Sequence, residues 1–379
     1  APTCRRYPPP AAIARTLARE HHITALYTMF DDGRPLSPHL DAIPRRVAWL
    51  GRIPGANRLR RWLLPLYPLA VGLLSHRLAR DHAAEPIDLL ISTSSAAIKG
   101  LRPPPGVPHL CYCHTPARYL WSQADRYSRG LAGLGLLLFG ALLRRWDRRT
   151  SKRVTTFLAN STYIQQEIQR CYKRASTVLF PPVRTEFFTP PPDGSRPGLK
   201  PANDIWLAVG AIEPYKQFES AIAASHLASA RLTIVGTGSG ERRLRRRAGP
   251  HVTFLGRVDD ERLRDLYRHA RLLIFPQRED FGIIAVEAQA CGCPVLALAA
   301  GGALDTVIDG ATGALFEGEP WIWFDADLKR PWEAAAEAAV RVPERSAATT
   351  AACRANAERF SEGTFAAGLR RAVAALTYD

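Results

Sequence analysis

The sequence lacks the features of disulfide-rich, zinc-binding and membrane-spanning proteins. Its longest apolar run, residues 131–143, ends at Arg144 and is shorter than the roughly 20 residues that a bilayer span needs. The 7 cysteines are an odd number, and their close pairs are spaced C-x-C, so neither a disulfide framework nor a zinc site is predicted. Such cysteine usage is typical of the reducing cytoplasm.

Methionine is also scarce: the sequence contains 1 methionine, Met29. The sequence opens with Ala1, and Arg5-Arg6 runs into three prolines rather than into an apolar stretch, which is not the pattern of a signal peptide. We therefore expect the true N-terminus to be missing or altered.

Positive charge is in excess, and the whole excess lies in the first half of the chain. The formal net charge is +16. Residues 1–183 contain 27 basic residues against 10 acidic ones, whereas residues 184–379 contain 24 against 25. This block of charge predicts an anionic partner for the first half: nucleic acid, a membrane surface or a phosphorylated substrate.

Apolar strand candidates alternate with helix-like segments, which is typical of parallel α/β sheets. A stretch rich in Pro and Gly, residues 188–198, separates two such series. We predict an N-terminal domain over 1–183, a linker over 184–200, a second doubly wound domain over 201–350 and a helical tail over 351–379. The strand candidates are 22–29, 87–91, 108–113, 155–159, 205–209, 231–235, 252–255, 272–275 and 294–297.

Two glutamates in the second half are candidates for ligand binding. Glu279 follows a predicted strand, at the sheet edge where open α/β sheets bind ligands, and the helix that begins near Gly282 offers free N–H groups to an anion. Glu287 lies in a helix that is apolar on nearly every side, and a buried carboxylate needs a partner. A ligand hydroxyl is the preferred partner, and a structural salt bridge is the alternative.

The segment from Glu279 to Glu287 resembles the EX7E motif of retaining GT-B glycosyltransferases of family 4. Cys-Gly-Cys-Pro-Val-Leu-Ala and Gly301-Gly302 follow it, as in that family. The window Cys111-Tyr-Cys-His-Thr-Pro-Ala-Arg-Tyr-Leu-Trp121 resembles the corresponding segment of bacterial mannosyltransferases that build O-antigen and exopolysaccharide. The resemblance covers residues 22–316. It implies two Rossmann-like domains that face a cleft, with the C-terminal helix packing back on the N-domain.

The resemblance also implies roles for residues of the second domain. Glu287 would bind the ribose of a sugar nucleotide, and Glu279 the hydroxyls of the transferred sugar. Lys216 would stabilise the diphosphate leaving group, although a lysine after a strand is more commonly solvated surface. Backbone atoms would make the remaining donor contacts, at Phe281, Gly282, Ile283, Val258 and the glycine loops that contain Gly210, Gly236 and Gly238.

Two residues of the first domain complete the predicted site. His114 follows a strand, and its imidazole could donate to the sugar or orient the acceptor, or could simply be satisfied in the core. Arg118 is a second candidate for a phosphate contact, with a surface ion pair as the alternative.

The chain departs from the family pattern in two places. Ala211 stands where many relatives have an arginine after the glycine, so one leaving-group cation is absent. The opening strand and Gly-Gly loop of the relatives are also not recognisable. Asp325-Ala-Asp327 matches the D-x-D metal motif of another architecture but lies outside the family segments, so no metal and no other cofactor is expected.

Arginines and tryptophans alternate with leucines in two segments of the basic half. They suit an anionic bilayer surface, with core helices that carry solvated arginines as the alternative. Nucleic acid ranks lower, because no recognised binding motif accompanies the charge. The residues of this predicted membrane and acceptor patch are Arg58, Arg60, Arg61, Trp62, Arg144, Arg145 and Trp146.

The resemblance implies transfer of a hexose, with mannose from GDP-mannose preferred, to a lipid-linked glycan in cell-surface polysaccharide synthesis. The enzyme would act in the cytoplasm, peripherally on the inner face of the membrane. The alternatives are a UDP-sugar donor, a nicotinamide-dependent oxidoreductase that uses the loop Gly236-Thr-Gly-Ser-Gly240, and an inactive scaffold on membranes or polyanions.

Overall fold

A computed structural model describes residues 9–31, 33, 35, 38–60, 62–94, 97–122, 134–192, 205–318 and 331–377. The chain divides into two compact units. The first unit extends to Phe180 and includes the chain from Ala366 onward, and the second runs from Pro181 to Phe365.

The first unit is built on parallel strands. β1 (Leu26–Thr28) and β2 (Arg45–Val47) form a separate pair. A four-stranded sheet follows in the order β3-β4-β5-β6, with β3 at Leu90–Ser94, β4 at His109–Cys113, β5 at Thr156–Ala159 and β6 at Thr177–Val178. Its helices are α1 (Pro9–Leu17), α2 (Pro38–Asp41), α3 (Ala56–Leu59), α4 (Tyr67–Ala84), α5 (Leu134–Ser151) and α6 (Thr162–Tyr172).

Hydrophobic periodicity explains how these elements pack. Every residue of β4 is buried, as expected of a parallel strand that is covered on both faces. Helix α4 buries Ala70, Val71, Leu74 and Leu78, whose spacing places them on one face of a helix. None of the helices in the described parts of the chain is long and apolar enough to cross a membrane.

A buried ion pair joins α5 to the 3-10 turn Ile98–Gly100, which follows β3. Lys99 Nζ lies 2.5 Å from Asp147 Oδ1, and both side chains are only 1% exposed. Trp121 Nε1 donates to the other carboxylate oxygen of Asp147 at 2.8 Å. Because every polar atom of the carboxylate has a partner, the burial of these charges is tolerated.

The second unit is a six-stranded parallel sheet in the order β12-β11-β10-β7-β8-β9, which is the doubly wound order of a dinucleotide-binding fold. This topology confirms the predicted α/β architecture. The strands are β7 (Ile205–Val209), β8 (Arg231–Val235), β9 (Val252–Gly256), β10 (Leu272–Phe275), β11 (Val295–Leu298) and β12 (Gly313–Phe316). The helices are α7 (Phe218–Leu227), α8 (Glu241–Arg247), α9 (Asp260–His269), α10 (Ile283–Ala290), α11 (Ala303–Thr306), α12 (Pro331–Ala339) and α13 (Ala347–Glu358).

The segment predicted as a linker over 184–200 begins as a packed part of the second unit. Val183 N–H donates to the Phe360 carbonyl at 2.8 Å, and Arg184 pairs with Asp260 at 2.7 Å. Phe188 is fully buried. Residues 181–192 are therefore held by the second unit, and residues 193–200 lie outside the described chain.

The predicted tail over 351–379 is likewise divided. Helix α13 belongs to the second unit, whereas the last helix, α14 (Glu362–Thr377), passes into the first unit from Ala366 onward. There Arg370 pairs with Glu20 at 2.8 Å. The C-terminal helix thus packs back on the N-domain, as the resemblance implies.

Removal of the Asp147 carboxylate is expected to destabilise the protein severely. Asp147→Ala leaves the Lys99 ammonium buried without its counter-charge, which costs about 3–5 kcal/mol of unfolding free energy in urea titrations. Glu241→Ala, which breaks the exposed pair with Arg245, should cost below about 1 kcal/mol. The double variant Lys99→Met/Asp147→Leu should be more stable than Asp147→Ala. Equal stability of those two variants would contradict the account.

Candidate active site at the switch point of the second sheet

The strand order of the second unit creates one crevice at the carboxyl edge of its sheet. β7 and β10 are neighbours, but the chain continues from β7 towards β8 and from β10 towards β11, on opposite sides. The loops that follow them, residues 210–217 and 276–282, therefore diverge. Doubly wound sheets bind ligands at such a switch point.

Lys216 and Glu279 meet across this switch point. Lys216 ends a single turn of 3-10 helix, Pro214–Lys216, and its Nζ contacts Oε1 of Glu279. The two side chains are only 12% and 21% exposed. A ligand at this edge would meet a cation and a carboxylate side by side, from two loops that are distant in sequence.

Backbone contact between two loops accounts for the glycines after β8. A Cβ at Gly236 would lie 1.8 Å from the carbonyl oxygen of Gly210, and one at Gly238 would lie 2.3 Å from that of Ile212. Hydrogen bonds join the same loops, from Gly210 N–H to the Val235 carbonyl and from Ile212 N–H to that of Thr237. The loops after β7 and β8 thus form one wall, in which positions 236 and 238 have no room for a side chain.

Glu213 reinforces this wall and was not singled out from the sequence. Its carboxylate accepts hydrogen bonds from the backbone N–H of Ser239 at 3.1 Å and from its hydroxyl at 2.6 Å. The two residues are far apart in sequence, and nothing in the local pattern predicts their contact.

The loop that carries Glu279 is held from both ends. Gly302 N–H donates to the Glu279 carbonyl at 2.9 Å, and the buried ring of Phe281 packs edge-on against Phe360. Gly282, with φ of 96°, turns the chain into α10, which starts at Ile283. The first N–H groups of a helix have no partner within it and attract anions.

Glu287 lies on α10 and is only 3% exposed. The hydroxyl of Tyr267 on α9 donates to its Oε2 at 3.2 Å. Tyr267 in turn packs edge-on against Phe188. Sequence reasoning missed Tyr267, although its spacing of four from Leu263 on an amphipathic helix indicates a buried face.

Val258 lies beyond the end of β9, next to Asp259, which caps the start of α9 by accepting from Arg262 N–H. β9 is the edge strand and is separated from β7 by β8. The loops are nevertheless linked, because Gly236 N–H donates to the Gly256 carbonyl at 2.7 Å. Contact of Val258 with a base stays a prediction.

His114 and Arg118 belong to the first unit, at the end of β4. His114 N–H donates to the Ser94 carbonyl, and its ring packs edge-on against Tyr112. Burial, aided by the charge of Arg118, lowers the pKa of His114 to about 4. Its imidazole is therefore neutral near pH 7 and able to donate one hydrogen bond and accept another.

Only part of the predicted membrane and acceptor patch is exposed to solvent. Trp62, Arg144 and Arg145 are exposed, and so is Arg60. The Trp146 ring faces inward against Gly100, because α5 turns that side to the core. The side chain of Arg58 and the whole of Arg61 lie outside the described residues. Exposed leucines and a phenylalanine accompany the arginines instead: Leu66, Leu69, Leu73, Leu138, Phe139 and Leu142.

The described residues contain no group of three or more His, Cys, Asp or Glu side chains that could hold a metal ion. The Asp325-Ala-Asp327 motif lies outside them, as does the part of the apolar run before residue 134.

Two family models match consecutive parts of the chain. The model of Glycosyltransferase Family 4 matches residues 11–187, and that of Glycosyl transferases group 1 matches residues 195–329. The two halves of the chain therefore each match a glycosyltransferase domain model, and the first half matches that of family 4. The second of these matches contains the switch point with Lys216, Glu279 and Glu287.

The named relatives resemble only part of this chain. D-inositol 3-phosphate glycosyltransferase of Mycolicibacterium smegmatis is 40% identical over 159 residues, which are 37% of this chain and 36% of the relative. The Rhodococcus opacus protein of the same name is 34% identical over 190 residues, 45% of this chain and 41% of the relative. The chain thus matches well under half the length of these relatives.

Solved structures share the fold over nearly the whole chain. Sucrose-phosphate synthase from Thermosynechococcus elongatus has a TM-score of 0.69 at 20% sequence identity. The match covers 97% of this chain and 92% of the synthase chain. Anabaena HepE in complex with UDP and glucose has a TM-score of 0.64 at 19% sequence identity, and the match covers 99% of this chain and 98% of the HepE chain. The architecture is therefore GT-B.

Gly236→Ala is expected to damage both the fold and the site of the second unit. The added methyl would collide with the Gly210 carbonyl, which neither loop can avoid without breaking its hydrogen bonds, so unfolding free energy should fall by at least about 2 kcal/mol. Gly72→Ala on α4 is the matched control, because its Cβ meets nothing within 4 Å and alanine favours a helix. Urea unfolding that ranks the two variants equally would contradict this role of Gly236.

Proposed function

We propose that this chain is a retaining glycosyltransferase that moves a hexose from a nucleoside diphosphate sugar to an acceptor. The observation that carries the proposal is the meeting of Lys216 and Glu279 at the switch point, beside the start of α10. A cation, a carboxylate and the N–H groups at the start of a helix in one crevice match a diphosphate joined to a sugar.

Each residue of the crevice has a distinct task in this proposal. Lys216 and the N–H groups at the start of α10 stabilise the negative charge that develops on the departing diphosphate. Glu279 accepts from hydroxyls of the sugar, and Glu287 accepts from the ribose while Tyr267 fixes its carboxylate. The acceptor attacks from the face that the diphosphate leaves, so the anomeric configuration is retained without a covalent intermediate.

GDP-mannose is the donor that the sequence resemblance favours. A UDP-sugar is the second candidate, because the structural neighbour HepE was solved in complex with UDP and glucose. Thermal unfolding in the presence of GDP-mannose, UDP-glucose and UDP-N-acetylglucosamine separates them, since a ligand that binds only the folded state raises the melting temperature.

A lipid-linked glycan is the proposed acceptor, in cell-surface polysaccharide synthesis. The partial relatives are named D-inositol 3-phosphate glycosyltransferases, so an inositol phosphate is the second candidate. The excess of positive charge in residues 1–183 supports an acceptor that bears phosphate in either case. Product analysis with each acceptor decides between them.

We propose that the first unit docks on the inner face of the cytoplasmic membrane. Exposed leucines on α4 and α5 lie beside exposed arginines, a combination that suits an anionic bilayer surface. Helix α5 also packs on the Leu64–Leu66 turn that precedes α4. Nucleic acid remains the less favoured partner.

Two rivals from other classes have simple tests. A nicotinamide-dependent oxidoreductase would use the loop that contains Gly236 and would be stabilised by NADH rather than by GDP or UDP. An inactive scaffold, suggested by Ala211, would neither transfer a sugar nor hydrolyse any donor.

Lys216→Ala should lower kcat about 100- to 1000-fold and change KM much less, because the ammonium acts mainly on charge that develops in the transition state. Steady-state kinetics with the preferred donor measures both constants. Lys216→Arg keeps the positive charge and should retain more of kcat. An unchanged kcat in Lys216→Ala would remove this residue from the mechanism.

A further inference from the structure

The surface of the first unit contains a basic groove along the second half of α5. Its cations recur at spacings of one, three and four residues, which places them on adjoining faces of one helix. Five cations and one indole ring line it: Arg144, Arg145, Arg148, Arg149, Lys152 and Trp121.

The charge of this groove is not neutralised within the described part of the chain. None of the described carboxylates forms an ion pair with Arg144, Arg145, Arg149 or Lys152. Asp147, the one acidic residue of α5, is buried with Lys99. The groove therefore presents several neighbouring positive charges to a ligand.

One wall of the groove is held rigidly. The Arg148 guanidinium lies over the Trp121 ring at 5.2 Å, and its Nε donates to the Cys171 carbonyl at 3.0 Å. Trp121 is itself fixed by its hydrogen bond to Asp147. An arginine held in this way loses little freedom when an anion binds, so the groove differs from a set of mobile surface charges.

Apolar side chains precede the groove on the same helix. Leu138, Phe139 and Leu142 are 69%, 43% and 64% exposed. Leu138 and Arg145 are seven residues apart, which is about 10 Å of helix, and Leu142 lies within one turn of Arg144 and Arg145. Hydrocarbon beside clustered negative charge is the chemistry of a phosphorylated lipid, whereas nucleic acid offers no hydrocarbon chain.

We propose that this groove is a headgroup site for a lipid that carries a diphosphate, with Leu138 and Leu142 in the apolar layer beside it. Clustered cations favour a headgroup with several charges on adjacent phosphates over one with a single phosphodiester charge. The proposal deepens the proposed function, because it assigns recognition of the lipid part of the acceptor to α5.

Vesicle binding of the full chain tests this preference directly. One set of phosphatidylcholine vesicles contains a polyprenyl diphosphate, and the other contains phosphatidylglycerol at the same total surface charge. The protein should bind the diphosphate vesicles about tenfold more tightly, and Arg145→Gln/Arg149→Gln should abolish the difference. The matched control is Arg242→Gln/Arg246→Gln on α8, which removes the same charge from exposed positions of the second unit and should keep the difference.

Equal binding to both kinds of vesicle would overturn the proposal, as would equal effects of the two double variants. Tighter binding of a single-stranded oligonucleotide than of the diphosphate vesicles would overturn it too. Competition by inorganic pyrophosphate separates the headgroup from the membrane, and pyrophosphate that displaces no protein would count against a phosphate site. Binding of GDP and UDP is measured on the same preparations, so the absence of nucleotide binding contradicts the proposed function rather than the groove.

Discussion

The pairing of Lys216 with Glu279 depends on one constraint, the adjacency of β7 and β10 in a sheet whose chain leaves those strands in opposite directions. That adjacency opens the crevice, and it brings together two charges that are distant in sequence. Each charge is largely buried and would be costly without the other. A diphosphate sugar provides a partner for each of the two charges. Its phosphates can pair with the lysine, and its sugar hydroxyls can donate hydrogen bonds to the carboxylate.

Backbone contacts around this pair keep its loops in place. Gly236 allows the loops after β7 and β8 to touch through their backbones, and the Gly302 amide holds the backbone of Glu279. Tyr267 likewise holds Glu287 in place, because its hydroxyl donates a hydrogen bond to the buried carboxylate. Such rigidity favours catalysis, because oriented groups need not reorganise when charge develops.

The sequence was sufficient to predict the parallel α/β architecture, and it placed Glu279 in the loop after a strand and Glu287 in a buried helix, because these patterns are local. It could not predict that Lys216 and Glu279 touch, since that contact follows from strand order rather than from any local pattern. The inward face of Trp146 was missed for a related reason. A tryptophan within an arginine-rich run resembles a surface residue until the buried pair of Lys99 and Asp147 fixes which side of α5 faces the core.

Calorimetric titration of GDP and UDP into the wild-type protein and the Glu287→Ala variant tests the central claim most directly. We expect the wild type to bind one of the two nucleotides, and we expect the variant to lose this binding while remaining folded by circular dichroism. Unchanged affinity in Glu287→Ala, or binding of NADH in place of both nucleotides, would contradict the assignment of the switch point of the second sheet to a sugar-nucleotide donor.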